Sequence, residues 1–124
     1  MANGIAPAKI TDRTFDFAIE IVATCQALDS KPGVRRILGR QLLRSGTSIG
    51  ANVEEAQAGQ SRADFISKCS IALKECRETV YGLRLLAVHK LAESERLKQL
   101  RQEADEICRI LGTIVLRAKQ RRVS

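Results

Sequence analysis

Aromatic side chains are nearly missing from this chain. Phe15, Phe17, Phe65 and Tyr81 are the only four, and tryptophan does not occur. The interior must therefore be built from Leu, Ile, Val and Ala. A reader of single-stranded bases, which needs rows of exposed rings for stacking, is poorly served, because the four aromatics fall mostly on apolar faces. Proline is limited to Pro7 and Pro32, which leaves long stretches free to stay helical. Histidine is limited to His89, and Cys25, Cys69, Cys76 and Cys108 show no C-x-x-C spacing. A structural zinc site needs such ligand pairs, so no metal and no cofactor is expected. The thiols read as small buried apolar groups. No apolar run approaches the roughly 20 residues that span a bilayer. The opening "MANGIAPAKI" lacks the apolar segment of a secretory signal, so a cytoplasmic protein with no membrane role is expected.

What the chain has is helical periodicity, and no strand-like alternation competes with it. Length predicts one domain, and the 44% apolar content excludes a disordered chain. Four segments carry apolar residues at steps of three and four, predicting helices over 11–29, 33–58, 62–89 and 93–120. Residues 1–10 read as a flexible N-terminus and 121–124 as a basic tail. Thr11 reads as the first N-cap, and Ser61 with Asp64 resembles a capping box. "DSKPG" and "AGQS" are breakers. Connections this short make neighbours antiparallel, so the fold class is all-α: an up-down-up-down four-helix bundle.

The first segment carries two apolar stripes. One contains Phe15, Ala18, Ile19, Val22 and Cys25, the other Phe17, Ile21 and Leu28. Two stripes make a face wider than one partner helix covers. The second stripe, Phe17, Ile21 and Leu28, is expected to be left over and to pack against another subunit.

"RSGTSIGANVEEAQAGQSRADF", residues 44–65, is rich in small and polar residues for a helix. Gly46 and Gly50 stand four apart, and each mid-helix glycine costs about 1 kcal/mol relative to alanine. Close approach of a neighbouring helix is the expected compensation. Asn52 lies on the apolar stripe, so Ser48, Asn52 and Glu55 are expected to form a polar network with Glu78 of the third helix. A carboxylate pair for acid–base chemistry is the competing reading. It has no nucleophile, metal-ligand set or phosphate loop beside it, so no catalytic residue is assigned and the protein is read as not an enzyme.

The formal net charge is +7. Lys31, Arg35, Arg36, Arg40 and Arg44 occur with no acid between positions 31 and 53. Arg36, Arg40 and Arg44 recur every four residues on one face. Arg117, Lys119, Arg121 and Arg122 form a second cluster. Arg35, Arg36, Arg40 and Arg44, with Arg117, Lys119, Arg121 and Arg122, read either as a solvated basic surface or as candidate nucleic-acid contacts, made to the phosphate backbone without sequence preference and sensitive to salt.

"SIGANVEEA" followed by "SRADFISKCSIALKECRETVYGLRLL" resembles the intervening-sequence proteins, whose reading frames lie inside inserts of bacterial large-subunit ribosomal RNA genes. Ser48, Ile49, Asn52, Val53 and Glu55 match one block of the family pattern, with Ala56 in place of its glycine. Ser61, Phe65, Ile71 and Ala72 match the next. "LKECRET" stands where many members have Gly-Ser, and Gly82 stands where a variant carries Trp. The same fold is similar to the accessory variability protein of diversity-generating retroelements. That resemblance implies a homopentamer that partners a reverse transcriptase and nucleic acid. The leading expectation is thus a non-enzymatic homo-oligomeric bundle that binds RNA, DNA or a nucleic-acid enzyme through its basic faces. The alternative is an interaction scaffold for an acidic protein, with no nucleic-acid role.

Overall fold

The computed structural model describes residues 9–123, and side chains as far as Arg121. It contains α1 (Ile10–Asp29), α2 (Val34–Gln57), α3 (Arg62–Val88) and α4 (Ser94–Val123), and no strand among the described residues. Each helix packs on its sequence neighbour, and α4 returns to α1. Among the described residues no helix is long and apolar enough to cross a membrane.

Local chemistry sets the helix ends. Ser61 Oγ accepts the Asp64 N–H at 3.1 Å, the N-cap bond expected at α3. Gly33, with φ at +98°, makes the turn into α2 in a conformation that side chains disfavour. α1 begins earlier than Thr11, at Ile10, and its N-cap Lys9 makes no side-chain cap bond. α4 runs through 121–123 as helix, so most of the expected tail belongs to the bundle. α3 ends in a Schellman motif. The Leu91 N–H donates to Leu86 O at 2.9 Å and the Lys90 N–H to Ala87 O at 3.2 Å, with Lys90 left-handed at φ +53°.

The core is mainly aliphatic, with the ring of Phe17, the thiol of Cys76 and the hydroxyls of Thr14 and Thr79 buried among Leu, Ile and Val side chains. Ile21, Leu28, Leu42, Ile49, Leu83, Leu86, Ile107 and Leu111 are fully buried. The α1–α4 seam is tied by Arg13, whose Nε and Nη2 donate to the two Glu103 carboxylate oxygens at 2.8 and 3.0 Å.

α1 presents the opposite face from the one expected. Phe17, Ile21 and Leu28 are core residues, 2%, 0% and 2% exposed, whereas Phe15, Ile19 and Val22 are 57%, 49% and 39% exposed. The reason lies in Thr14 and Thr24, which make the buried face look polar in sequence. Thr14 Oγ1 donates to Ile10 O at 2.8 Å and Thr24 Oγ1 to Glu20 O at 3.0 Å. With their hydroxyls satisfied on their own helix, both can enter the core.

That buried face meets the glycines of α2. A Cβ on Gly46 would lie 2.9 Å from Cγ1 and Cγ2 of Ile21. One on Gly50 would lie 3.3 Å from the Thr14 carbonyl oxygen, and one on Gly39 would lie 2.9 Å from Leu28 Cβ. The close approach therefore runs along the α1–α2 seam, and it includes Gly39, which sequence reading passed over.

The expected polar network does not form as one unit. The Asn52 side chain donates to Ser48 O, and Ser48 Oγ donates to Arg44 O, so both bond within α2. Glu55 pairs with Lys68 at 3.2 Å. Glu78 pairs with Arg44. The buried polar link between α2 and α3 is instead Ser45 with Thr79, whose hydroxyls share a hydrogen bond of 2.9 Å. Both are short side chains that already bond to carbonyls of their own helices, so the pair fits where a carboxylate would be costly to bury.

Candidate nucleic-acid interface

The basic residues of α2 are divided by their neighbours. Arg36 and Arg40 both approach Asp29 Oδ1, at 3.7 and 3.1 Å. Arg44 donates to Glu75 at 3.1 Å and also pairs with Glu78. Its guanidinium is held above the ordinary arginine range by the bonds to Glu75 and Glu78. The face free of acids in sequence is thus neutralised by acids from α1 and α3. Arg35 leaves this face altogether, and its Nε donates to Leu91 O at 2.9 Å at the end of the bundle. Arg117 and Lys119 are exposed near the end of α4. Arg121 lines a hollow with Arg62 at the α2–α3 turn. The Arg122 side chain lies outside the described residues.

The same ion pairs uncover a different face. Lys74, Arg77, Tyr81 and Arg84 step by three, four and three along α3, which puts them on one side of the helix. The three cations make no ion pair among the described residues. Tyr81 is 59% exposed between them. Sequence reading missed this face because Glu75 and Glu78 lie in the same stretch and make it look balanced. In the bundle those two carboxylates turn to α2 and hold Arg44, so the helix separates its charges by side. Periodicity was the available signal, applied to charge instead of to apolar residues. Tyr81 is the ring that lies off the apolar faces, whereas Phe15, though exposed, stays on the apolar stripe with Ile19 and Val22.

Among the described residues no group of three or more His, Cys, Asp or Glu side chains is arranged to hold a metal ion. The four cysteines are free thiols, with Cys25, Cys69 and Cys76 buried and Cys108 half-buried. Burial pushes Cys25 up to about 11 and raises Cys69 as well. Cys108 is lowered, first by its hydrogen bond with Cys76 and further by the charge of Arg77. A lower value means more thiolate at a given pH, and thiolate is the reactive form. A titration of the folded protein with Ellman's reagent at pH 8 should therefore show Cys108 reacting first. Cys108→Ser should remove that fast phase, and a fast phase that survives would refute the assignment.

An all-α antiparallel bundle with cationic outer faces is the class that these features define. The chain belongs to the 23S rRNA-intervening sequence protein family, which it matches over residues 7–113. It is also similar to a protein of unknown function from the S23 ribosomal protein family of Bacteroides thetaiotaomicron, known from its crystal structure. The two share 40% identity with a TM-score of 0.80, over 86% of this chain and 98% of that one. Among curated proteins nothing matches.

Proposed function

We propose that this chain is a non-enzymatic bundle that assembles with copies of itself and binds nucleic acid, with the α3 face as the main contact. The observation that carries this reading is the separation of charge on α3. Lys74, Arg77 and Arg84 stand unpaired around an exposed tyrosine, while the acids of the same stretch are committed to Arg44. Unpaired cations gain more from phosphate than paired ones do, since no existing ion pair has to break. Arg36, Arg40 and Arg44 serve as a secondary face that phosphate reaches only by competing with Asp29, Glu75 and Glu78. Tyr81 adds a surface for an unpaired base, at about 1–3 kcal/mol per stacked base. The family's name points to 23S rRNA and its intervening sequences as the first nucleic acids to try.

Fluorescence anisotropy with single-stranded and duplex RNA across a salt series tests the reading. Binding should weaken steeply with salt, and the combined change Lys74→Gln, Arg77→Gln, Arg84→Gln should lower the slope by about two to three units, near 0.7–0.9 per lost phosphate contact. Tyr81→Ala should weaken single-stranded RNA more than duplex. If wild-type protein binds neither RNA nor DNA at low salt, the reading falls and the scaffold for an acidic protein takes its place.

Assembly rests on the α1 stripe that the bundle leaves uncovered. Phe15, Ile19 and Val22 step by four and three, and Val22 shares a hollow of about 320 Å³ with Leu43 of α2. Ring assembly would repeat each α3 face and raise avidity for a long polyanion. A ring of five, and a reverse transcriptase as protein partner, are the specific forms to be tested by light scattering and by pull-down from the native host.

A further inference from the structure

The largest cavity described, about 630 Å³, lies at the end of the bundle where the α1–α2 and α3–α4 turns meet. Its volume is within the range of small-molecule sites, roughly 300–1,000 Å³. Ala23, Ala27 and Leu28 of α1 give it an apolar wall, and Leu91 adds to it from the α3–α4 turn. Lys31, Arg35, Lys90 and Arg96 also line it, each from a different part of the chain, against the single carboxylate Glu93.

The four cations are not equally committed. Arg96 is held by Glu20 at 2.6 Å and donates to Thr24 Oγ1 at 3.1 Å. Arg35 spends its Nε on Leu91 O, which fixes the guanidinium at the cavity and leaves its two terminal nitrogens without a carboxylate. Lys31 and Lys90 make no ion pair among the described residues. α2 begins between Lys31 and Arg35, and its N-cap Gly33 makes no side-chain cap bond. The positive end of that helix therefore adds to the same side.

Lys90 reaches the cavity from the cap that ends α3. It occupies the left-handed position of the Schellman motif at φ +53°, where glycine carries no steric cost and other residues lose about 1–2 kcal/mol. The helix dipole would be served as well by a cation one residue earlier, at position 89, where the backbone is not left-handed.

We propose that this cavity binds a phosphomonoester of mononucleotide size. The phosphate lies among Lys31, Arg35 and Lys90, and the apolar wall takes a flat or compact group attached to it. Glu93 is left to accept a hydrogen bond from a hydroxyl or amino group of that ligand. The shared chemistry has two sources, a free nucleotide or the phosphorylated end of a nucleic-acid strand.

Isothermal titration of the full chain at low salt with AMP, ribose 5-phosphate and adenosine tests the proposal. AMP should bind more tightly than ribose 5-phosphate, and adenosine should not bind measurably. Lys31→Glu should weaken AMP by about tenfold or more, since it places like charge against the phosphate. Lys90→Gly relieves the backbone strain, so it should raise the melting temperature while weakening AMP. That combination is one a purely structural lysine would not give. The combined Lys74, Arg77 and Arg84 variant should leave AMP binding unchanged, which separates this site from the α3 face. A 5′-phosphorylated RNA hexamer that displaces AMP, where its 5′-hydroxyl counterpart does not, identifies a strand end as the source. Displacement by neither identifies a free nucleotide. Absence of heat with both phosphates at millimolar concentration, or adenosine binding as well as AMP, overturns the proposal.

Discussion

Gly46→Leu should unfold this bundle or leave it close to unfolding. The glycine is buried, and a bare Cβ there would already lie 2.9 Å from two carbons of Ile21. Ile21 is itself 0% exposed, and those carbons lie next to its own Cβ, so they cannot swing away as the tip of a long side chain would. Relief requires α1 and α2 to separate, which would also disturb Thr14 at Gly50 and Leu28 at Gly39. Overpacking of a tight core costs about 1–3 kcal/mol and occasionally more, and a leucine in a site too small for a methyl belongs at the upper end. Against a total stability of about 5–15 kcal/mol the loss is severe. Gly46→Ala should fall between wild type and Gly46→Leu. Gly112 of α4 is the internal control, because a Cβ there meets nothing within 4 Å. Gly112→Ala should raise stability by about 0.5–1 kcal/mol through backbone entropy alone. Urea unfolding at one fixed protein concentration reads all three, since any self-assembly would make stability depend on concentration. Equal effects at Gly46 and Gly112 would mean that the seam is not tight.

The helices were legible because each signal for them is local. Apolar spacing, Pro32 with Gly33, and the Ser61 cap are all read within one stretch of chain, and the observed ends fall within a few residues of those expected. The choice of face on α1 is not local. Phe15, Ile19 and Val22 and Phe17, Ile21 and Leu28 are equally apolar, and the tie is decided by which set fits the glycines of α2 and by two threonines that satisfy themselves. The site suffered from the same limit. Arg36, Arg40 and Arg44 look free because no acid is near them in sequence, yet Asp29, Glu75 and Glu78 reach them in space. Lys74, Arg77 and Arg84 look neutralised by neighbours that in fact face elsewhere. Charge counted along a helix says little until the partners of each side are known.

The two stripes of α1 should separate folding from assembly. Ile21→Glu and Phe17→Glu place a carboxylate in the core, where neither position is more than 2% exposed. Moving an unpaired charge into an apolar interior is costly enough that the group neutralises or the fold opens. Both variants should therefore lose helical circular dichroism near neutral pH, so they cannot report on subunit contacts. Ile19→Glu and Phe15→Glu change positions 49% and 57% exposed. They should keep the helical spectrum and at most a small change in unfolding midpoint for the isolated bundle. What they should lose is mass by light scattering, because the carboxylate would have to be desolvated against an apolar surface of the next copy. Nucleic-acid affinity should fall along with mass, since separated subunits no longer present the α3 face in repeat. A wild type that is monomeric at micromolar concentration would end the assembly reading. An Ile19→Glu variant of unchanged mass would move the interface off this stripe and onto another exposed apolar group, with Val34 and Ile37 of α2, 63% and 58% exposed, the first to examine.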